Sequence, residues 1–151
     1  MDVGYKNSSG NFSLRAAALI IQDNKLLVAK SQDYDCYYTV GGGVRQNESS
    51  DKAVLRECFE ETGHHYQIDR LVFVQERFFQ LENTKHHEVV FFYLMKDDGF
   101  EVVSGVNTDQ QKEQLFWLPI EDLEEINLVP TFLKTALQDI PKEIMRVVSY
   151  E

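Results

Sequence analysis

Residues 41 to 64 read GGGVRQNESSDKAVLRECFEETGH. Three glycines come first, and they let the backbone turn sharply or approach a ligand closely. A run with helical spacing then begins after Ser49 or Ser50, which are typical N-cap residues, and extends to about Thr62. Gly63 stands where a left-handed residue commonly ends a helix. The stretch therefore predicts a glycine-rich loop followed by one helix.

The two sides of this helix differ in character at 100° per residue. One side collects Val54, Leu55, Cys58, Phe59 and Thr62, and the other collects Arg56, Glu57, Glu60 and Glu61. Like charges at these spacings repel by roughly 0.2–0.5 kcal/mol a pair. An ordinary solvated face is the simplest alternative, but clustered carboxylates are also the oxygen ligands that Mg²⁺ requires. Such a set favours metal-assisted hydrolysis.

The charged and glycine positions form one long, gapped pattern. It runs Gly42, five residues, Glu48, seven residues, Arg56-Glu57, two residues, Glu60-Glu61, one residue, Gly63. This pattern resembles the box of the Nudix (MutT-like) hydrolase family, and the resemblance extends over nearly the whole chain. It implies an α/β (α+β) fold, the Nudix-type α/β/α sandwich with a mixed β-sheet, in which the box forms a loop-helix-loop. The implied reaction is hydrolysis of a diphosphate linkage in a nucleoside diphosphate derivative or nucleoside triphosphate.

The resemblance also implies roles for individual residues. The implied cofactor is Mg²⁺, or Mn²⁺ in its place, held by Glu57, Glu60, Glu61 and the carbonyl of Gly41. Arg56 would orient a glutamate, and Glu48 would support the site through hydrogen bonds. One of Glu60 and Glu61 would help to activate water, and the sequence does not separate them.

Members of the family often use one further glutamate from outside the box. Glu113 is favoured because it precedes the predicted strand that contains Trp117, and Glu88 and Glu76 are the other candidates. A plain surface charge is the alternative interpretation for each of the three.

Substrate contacts are expected from the strands. Arg77 is the best candidate for a phosphate contact because it is a cation amid acidic surroundings. Phe79 and Tyr38 are candidates for contact with the base, although aromatic residues on strands more often fill a core.

Three positions depart from the family pattern. Cys58 and His64 occupy positions that are usually aliphatic, and Val40 stands where many relatives have proline. A free cysteine on an apolar face behaves as a small hydrophobic residue, so Cys58 is expected in the core. His64 needs a hydrogen-bond partner if it is buried.

Composition limits the classes of partner. The chain has 151 residues, with 15 basic against 25 acidic side chains and a net charge of −10. This charge disfavours nucleic acid polymers and anionic membranes, so a small nucleotide-like substrate that a cation bridges is expected. Two cysteines and no apolar run long enough for a membrane span predict a cytoplasmic protein. Homodimers are common among similar proteins.

The remaining sequence predicts a loose arm over residues 1–12 and one domain over residues 13–151. Strands are expected at 14–21, 26–29, 37–40, 68–81, 88–95 and 115–118, with a polar loop at 82–87. Helical segments are expected at 120–126 and 131–140.

Two interpretations of a different class are also compatible with the sequence. One is a non-catalytic Nudix-fold nucleotide sensor, although sensors of this kind typically have eroded boxes. The other is an interaction protein whose acidic helix meets a basic partner, and stabilisation by a divalent ion would distinguish it from a metal-binding enzyme.

Overall fold

The computed structural model describes residues 1–105 and 113–151. Its strands are β1 (Gly4–Asn7), β2 (Gly10–Leu19), β3 (Ile21–Gln22), β4 (Lys25–Ser31), β5 (Tyr37–Gly43), β6 (Ile68–Leu81), β7 (Thr84–Met95), β8 (Glu113–Pro119), β9 (Leu128–Val129) and β10 (Met145–Tyr150). Its helices are α1 (Ser50–Thr62), a 3₁₀ helix (Ile120–Glu125) and α2 (Leu133–Ala136).

The strands form one mixed sheet in the order β10-β6-β7-β2-β5-β4-β3. β1 pairs with β2, β8 with β4, and β9 with β5. The pairs β2/β7, β6/β10 and β5/β9 are parallel, and the other pairs are antiparallel. β2 therefore lies at the centre, between the long hairpin β6/β7 and the strand that leads into α1.

Successive side chains of β2 point into two different hydrophobic cores. Ala16 and Ala18 face α1 and pack with its buried residues Val54 and Cys58. Ala17 and Leu19 face the opposite side, in the cluster that contains Leu123 of the 3₁₀ helix and Leu133 of α2. Because successive strand residues point to opposite faces, one short apolar run serves both layers. The α/β/α sandwich with a mixed sheet is confirmed.

The helix that carries the box pattern is confirmed within the expected bounds. Gly63 closes α1 with φ of 75°, and its N–H donates to the carbonyl of Phe59 at 2.8 Å. Cys58 is fully buried in the core, as expected. Phe59 is 44% exposed, which contradicts its placement on the buried side, and its ring instead stacks on His65.

Two strands are longer than expected. β5 continues through the three glycines, because Gly41, Gly42 and Gly43 pair with β2 and do not end the strand. The polar loop expected at 82–87 is a two-residue turn, with φ of 50° at Glu82 and 65° at Asn83. Positive φ at both central residues suits the twist of a tight hairpin, so β7 begins at Thr84.

Both ends of the chain also differ from the expectations. Residues 4–7, assigned to a loose arm, form β1 against β2. The helix expected at 131–140 is reduced to Leu133–Ala136, and Pro141 disfavours helical backbone at the residue before it. β10 was not expected at all, and its mostly exposed residues give a weak burial signal. None of the described helices has the length and apolar character needed to cross a bilayer.

Candidate active site

Arg56 is the central contact of the box. Its guanidinium donates to both carboxylate oxygens of Glu48, at 2.8 and 2.9 Å, and to Glu57 Oε1 at 2.8 Å. It also donates to the carbonyl of Gly43 at 3.0 Å. A planar guanidinium suits this multiple donation. Arg56 thus joins the glycine-rich strand end, the loop and the helix.

Glu48 is held in a well-defined position before α1. The backbone N–H of Arg45 donates to Glu48 Oε1 at 3.0 Å. Hydrogen bonds from Arg56 lower the pKa of Glu48 to about 2, and the same contacts raise the pKa of Arg56. Glu48 is therefore a carboxylate near neutral pH and supports the geometry of Arg56.

Two glutamates of α1 meet the glycines of β5. The backbone N–H of Gly41 donates to Glu61 Oε2 at 2.9 Å. A Cβ added at Gly42 would lie 2.4 Å from Glu57 Oε1, so any other residue would displace this carboxylate from its position. This contact gives a steric reason for the glycine that begins the box pattern.

The charged forms of these two glutamates are disfavoured where they lie. Burial, followed by the charges of Glu113 and Glu57, raises the pKa of Glu61 well above its usual range. Burial also raises the pKa of Glu57, although Arg56 opposes that shift. A nearby cation would relieve both costs.

The donor set fits a hard divalent cation in its chemistry. In the described parts of the chain, no three His, Cys, Asp or Glu side chains are already arranged as a metal cage. Glu57 and Glu61 lie against adjacent glycines, whereas Glu60 is half-exposed and lies 3.5 Å from Arg56 and 3.7 Å from Arg45. Mg²⁺ commonly uses only one or two carboxylates together with water and substrate phosphates, so such an incomplete set suits it. Gly41 reaches Glu61 through its N–H, and ligation by its carbonyl stays a prediction.

A cleft of about 510 Å³ opens beside the glycines. Its lining includes the predicted site residues Gly41, Tyr38, Arg77, Phe79 and Glu113. Residues that the sequence analysis did not single out also line it, among them Arg15, Thr39, Gln75, Val90 and Phe92. The box therefore borders a concave space that is large enough for a small molecule.

The charged side chains Arg15, Arg77 and Glu88 of the cleft form ion pairs. Glu88 is buried, and it lies 3.3 Å from Arg15 and 3.4 Å from Arg77. Arg77 also pairs with Glu151, and its guanidinium lies 4.1 Å from the centre of the Phe79 ring. The predicted phosphate contact is thus in the cleft, but it is engaged by two carboxylates.

The three glutamates considered outside the box lie in different surroundings. Glu113 lines the cleft and interacts with Glu61 and with Tyr38, whose pKa is raised by burial and then by Glu113. Glu88 lines the cleft between two arginines. Glu76 does not line it and pairs with Arg146 at 2.7 Å. Of the charges that raise the pKa of Glu61, that of Glu113 has the largest effect.

Arg15 and Gln75 were not predicted as site residues, but the sequence contains a feature that could have identified them. Each is a polar side chain within a run that reads as a buried strand. Buried polar groups need partners, so such a position marks either a hydrogen-bond network or a ligand.

The contacts of His64 explain how a histidine is accommodated at a position that is usually aliphatic in the family pattern. Its Nε2 lies 2.5 Å from Asp98 Oδ2, and its ring stacks on Phe100 with 3.9 Å between centroids. The hydrogen bond and the stacking partner replace the packing that an aliphatic residue would supply.

Comparisons with known proteins agree with this geometry. The family model for the NUDIX domain matches residues 12–140. Diphosphoinositol polyphosphate phosphohydrolase 3-alpha of Mus musculus is 32% identical over 115 residues, which cover 74% of this chain and 66% of the relative. Diphosphoinositol polyphosphate phosphohydrolase 2 of Rattus norvegicus is 30% identical over 115 residues, which cover 74% of this chain and 60% of the relative.

Solved structures show the same fold. The MutT protein of Bacillus halodurans is 14% identical, with a TM-score of 0.69 over 91% of this chain and 89% of that one. The aligned region spans only 60–66% of the length of the first curated relatives. Because the family model matches residues 12–140, most of this chain, the chain belongs to the NUDIX domain family.

Proposed function

We propose that this protein hydrolyses a diphosphate linkage in a nucleoside diphosphate derivative or nucleoside triphosphate, with Mg²⁺ or Mn²⁺ as cofactor. The proposal rests on the contacts of Glu57 with Gly42 and of Glu61 with Gly41, because these two glycines line the cleft. Burial raises the pKa of both carboxylates, and a bound cation would stabilise their charged forms, so their surroundings suit a cation-binding role. The family match supports the same reaction class.

The proposed roles follow from the contacts. Glu57, Glu60, Glu61 and the Gly41 carbonyl would hold the cation, which when bound polarises the phosphate oxygens and lowers the pKa of water. Arg56 orients Glu57 and is itself fixed by Glu48. Glu113, which lines the cleft and whose charge raises the pKa of Glu61, would accept a proton from the attacking water. Attack of that water on one phosphorus breaks the bridging P–O bond.

Substrate recognition is assigned to the cleft. Arg77 would exchange a carboxylate partner for a substrate phosphate, and Phe79 and Tyr38 would contact the nucleoside. Arg77 contacts Glu88 through one oxygen at 3.4 Å, and a phosphate would offer its guanidinium two acceptors in place of that single contact.

The similar curated relatives are named for diphosphoinositol polyphosphates, which share the diphosphate but are dense polyanions. Such a ligand needs many free cations. Arg15 and Arg77 both contact Glu88, Glu113 lies nearby, and the chain carries a net charge of −10. We therefore favour a nucleotide-like substrate with few phosphates over an inositol polyphosphate.

The test is product release from a panel of nucleoside diphosphate derivatives, nucleoside triphosphates and one diphosphoinositol polyphosphate, with Mg²⁺ or with EDTA. Wild type is compared with Glu61→Gln and with the control Glu125→Gln, an exposed glutamate of the 3₁₀ helix. We expect metal-dependent turnover of a nucleotide, a loss of about a hundredfold or more in Glu61→Gln, and no change in the control. Turnover of the inositol compound alone would overturn the substrate assignment. Binding of nucleotides without any turnover would replace the enzyme by a sensor.

A further inference from the structure

Gln75 of β6 is a buried polar residue with an incomplete set of partners. It is 0% exposed, and its Nε2 donates to Ser149 Oγ at 2.9 Å. Its Oε1 is buried and has no hydrogen-bond partner within residues 1–105 and 113–151. An amide oxygen removed from water without a partner is costly, so such a group calls for an explanation.

The position of Gln75 in the sheet relates it to the box. Gln75 pairs with Val90 of β7, Val90 pairs with Arg15 of β2, and β2 pairs with the glycines of β5. Three strand spacings of roughly 4.8 Å lead from Gln75 to Gly43, and Gly41 lies two residues farther along β5, so Gln75 and Gly41 are about 16 Å apart. Both residues line the same cleft. This span matches the length of an extended nucleoside diphosphate, from the edge of its base to its outer phosphate.

The surface between these two points suits a planar group. Ala17 and Val90 line the cleft between Gly41 and Gln75, and both side chains are small and apolar. The neighbouring charges are those of Arg15, Arg77 and Glu88, which pair with one another. The unsatisfied acceptor thus belongs to a residue that lines this end of the cleft beside an apolar floor, which favours a donor on a flat ring over an anion.

We propose that Gln75 Oε1 accepts a hydrogen bond from the exocyclic amino group of a nucleobase, and that Gln75 thereby sets base preference. The inference rests on the proposed function for the orientation of the ligand, with its outer phosphate at the box and the phosphate nearer the nucleoside within reach of Arg77. The protein would therefore bind bases with an amino group, such as adenine and cytosine, more tightly than hypoxanthine and uracil, which carry a carbonyl at the same position. A carbonyl facing Oε1 would place two acceptors together.

The experiment measures binding, so that its result does not depend on turnover. The ligands are the α,β-methylene analogues of ADP and IDP, and of CDP and UDP, in which a carbon replaces the bridging oxygen. We expect the amino member of at least one pair to bind wild type roughly 10- to 100-fold more tightly, the effect of leaving one buried acceptor unpaired.

Gln75→Met tests the residue directly. Met keeps a similar length and removes the amide, so the preference between pair members should fall to less than about threefold, while the melting temperature of the free protein should not drop as it would for a lost core contact. Gln80→Met is the matched control, because Gln80 is an exposed glutamine of the same strand. It should keep the wild-type preference.

Each outcome decides the matter. Equal affinities of wild type for both members of both pairs overturn the inference without any variant, and so does a preference that survives in Gln75→Met. A preference that Gln75→Met abolishes supports it, even if no nucleotide is hydrolysed and the proposed function fails.

Discussion

The guanidinium of Arg56 contacts both carboxylate oxygens of Glu48, eight residues earlier in the chain, at 2.8 and 2.9 Å. The two side chains are mostly buried, at 18% and 17% exposed. Because Arg56 also contacts Glu57 and the carbonyl of Gly43, one planar group links the strand end, the loop and the helix.

Replacing Arg56 by Lys should break this linkage without removing the charge. A single ammonium cannot make the paired contact with Glu48 and still reach Glu57 and Gly43. We expect the free energy of unfolding to fall by about 1–3 kcal/mol in urea titrations, and kcat to fall as well. Arg146→Lys is the control, because Arg146 is exposed in its pair with Glu76 and should lose under about 1 kcal/mol. Equal losses in the two variants would contradict the linking role.

Substituting Gly42 by Ala should impair activity more than stability. The added Cβ would meet the Glu57 carboxylate at 2.4 Å, and the flexible end of that side chain can move away. The fold then survives while the carboxylate is displaced, so we expect kcat to fall at least about tenfold under saturating Mg²⁺.

Gly63→Ala is the matched control for Gly42→Ala. Gly63 has φ of 75° and no atom within 4 Å of an added Cβ. A left-handed alanine costs about 1–2 kcal/mol, so the melting temperature should fall while kcat at low temperature is unchanged. The reverse pattern in the two variants would show that the contact between Gly42 and Glu57 is unimportant for catalysis.

Divalent cations should stabilise the folded protein in a concentration-dependent way. Binding to the folded state alone adds about 2.7 kcal/mol at a hundredfold excess over Kd. We expect Mg²⁺ to raise the melting temperature above that in NaCl of equal ionic strength, EDTA to remove the effect, and Glu57→Gln to weaken it. Glu125→Gln should respond like wild type. A rise that follows ionic strength alone would indicate a plain acidic surface.

The two cleft glutamates outside the box should give different kinetic signatures. Glu113 interacts with Glu61, so Glu113→Gln should lower kcat by about a hundredfold with little change in KM. Glu88 contacts Arg15 and Arg77, so Glu88→Gln should act mainly on KM. Steady-state kinetics on the substrate found in the panel would show this split, and an effect of Glu88→Gln on kcat alone would reverse the assignment.

The pair between His64 and Asp98 should contribute a pH-dependent stability. The hydrogen bond from His64 holds the pKa of Asp98 below its ordinary value of 3.8. A lowered folded-state pKa contributes stability that is present above pH 3.8 and is lost as the pH falls through the lowered value. Unfolding measured between pH 5 and pH 2 should therefore show a shallower acid dependence for His64→Leu than for wild type. Identical slopes would mean that the pair does not couple to folding.

The sequence was most informative where chemistry and backbone geometry act locally. Gly63 closes α1 as its position predicted, and Glu57 and Glu61 lie on the charged side of the helix. The resemblance to a known family supplied the sandwich, which helix periodicity alone does not specify.

The sequence was least informative where distant segments meet. β10 adds to β6 in parallel, and its partner residues are more than seventy positions away, so no local pattern announces the pairing. Arg77 was expected to contact a phosphate, but its two carboxylate partners could not be foreseen, because Glu88 comes from the paired strand and Glu151 from beyond β10. Glu113 could be ranked first among three glutamates, but its approach to Glu61 depends on β8 pairing with β4.

The central strand β2 is shared by the two ends of the cleft. On one edge Ala17 pairs with Gly41, and on the other edge it pairs with Phe92 of the cleft wall. A larger side chain at Ala17 would disturb the metal-binding end and the recognition end at the same time, whereas Arg15, which is 43% exposed, has room to change. We expect substitutions that alter substrate range to accumulate at Arg15 and on β6, and Ala17 to tolerate very few.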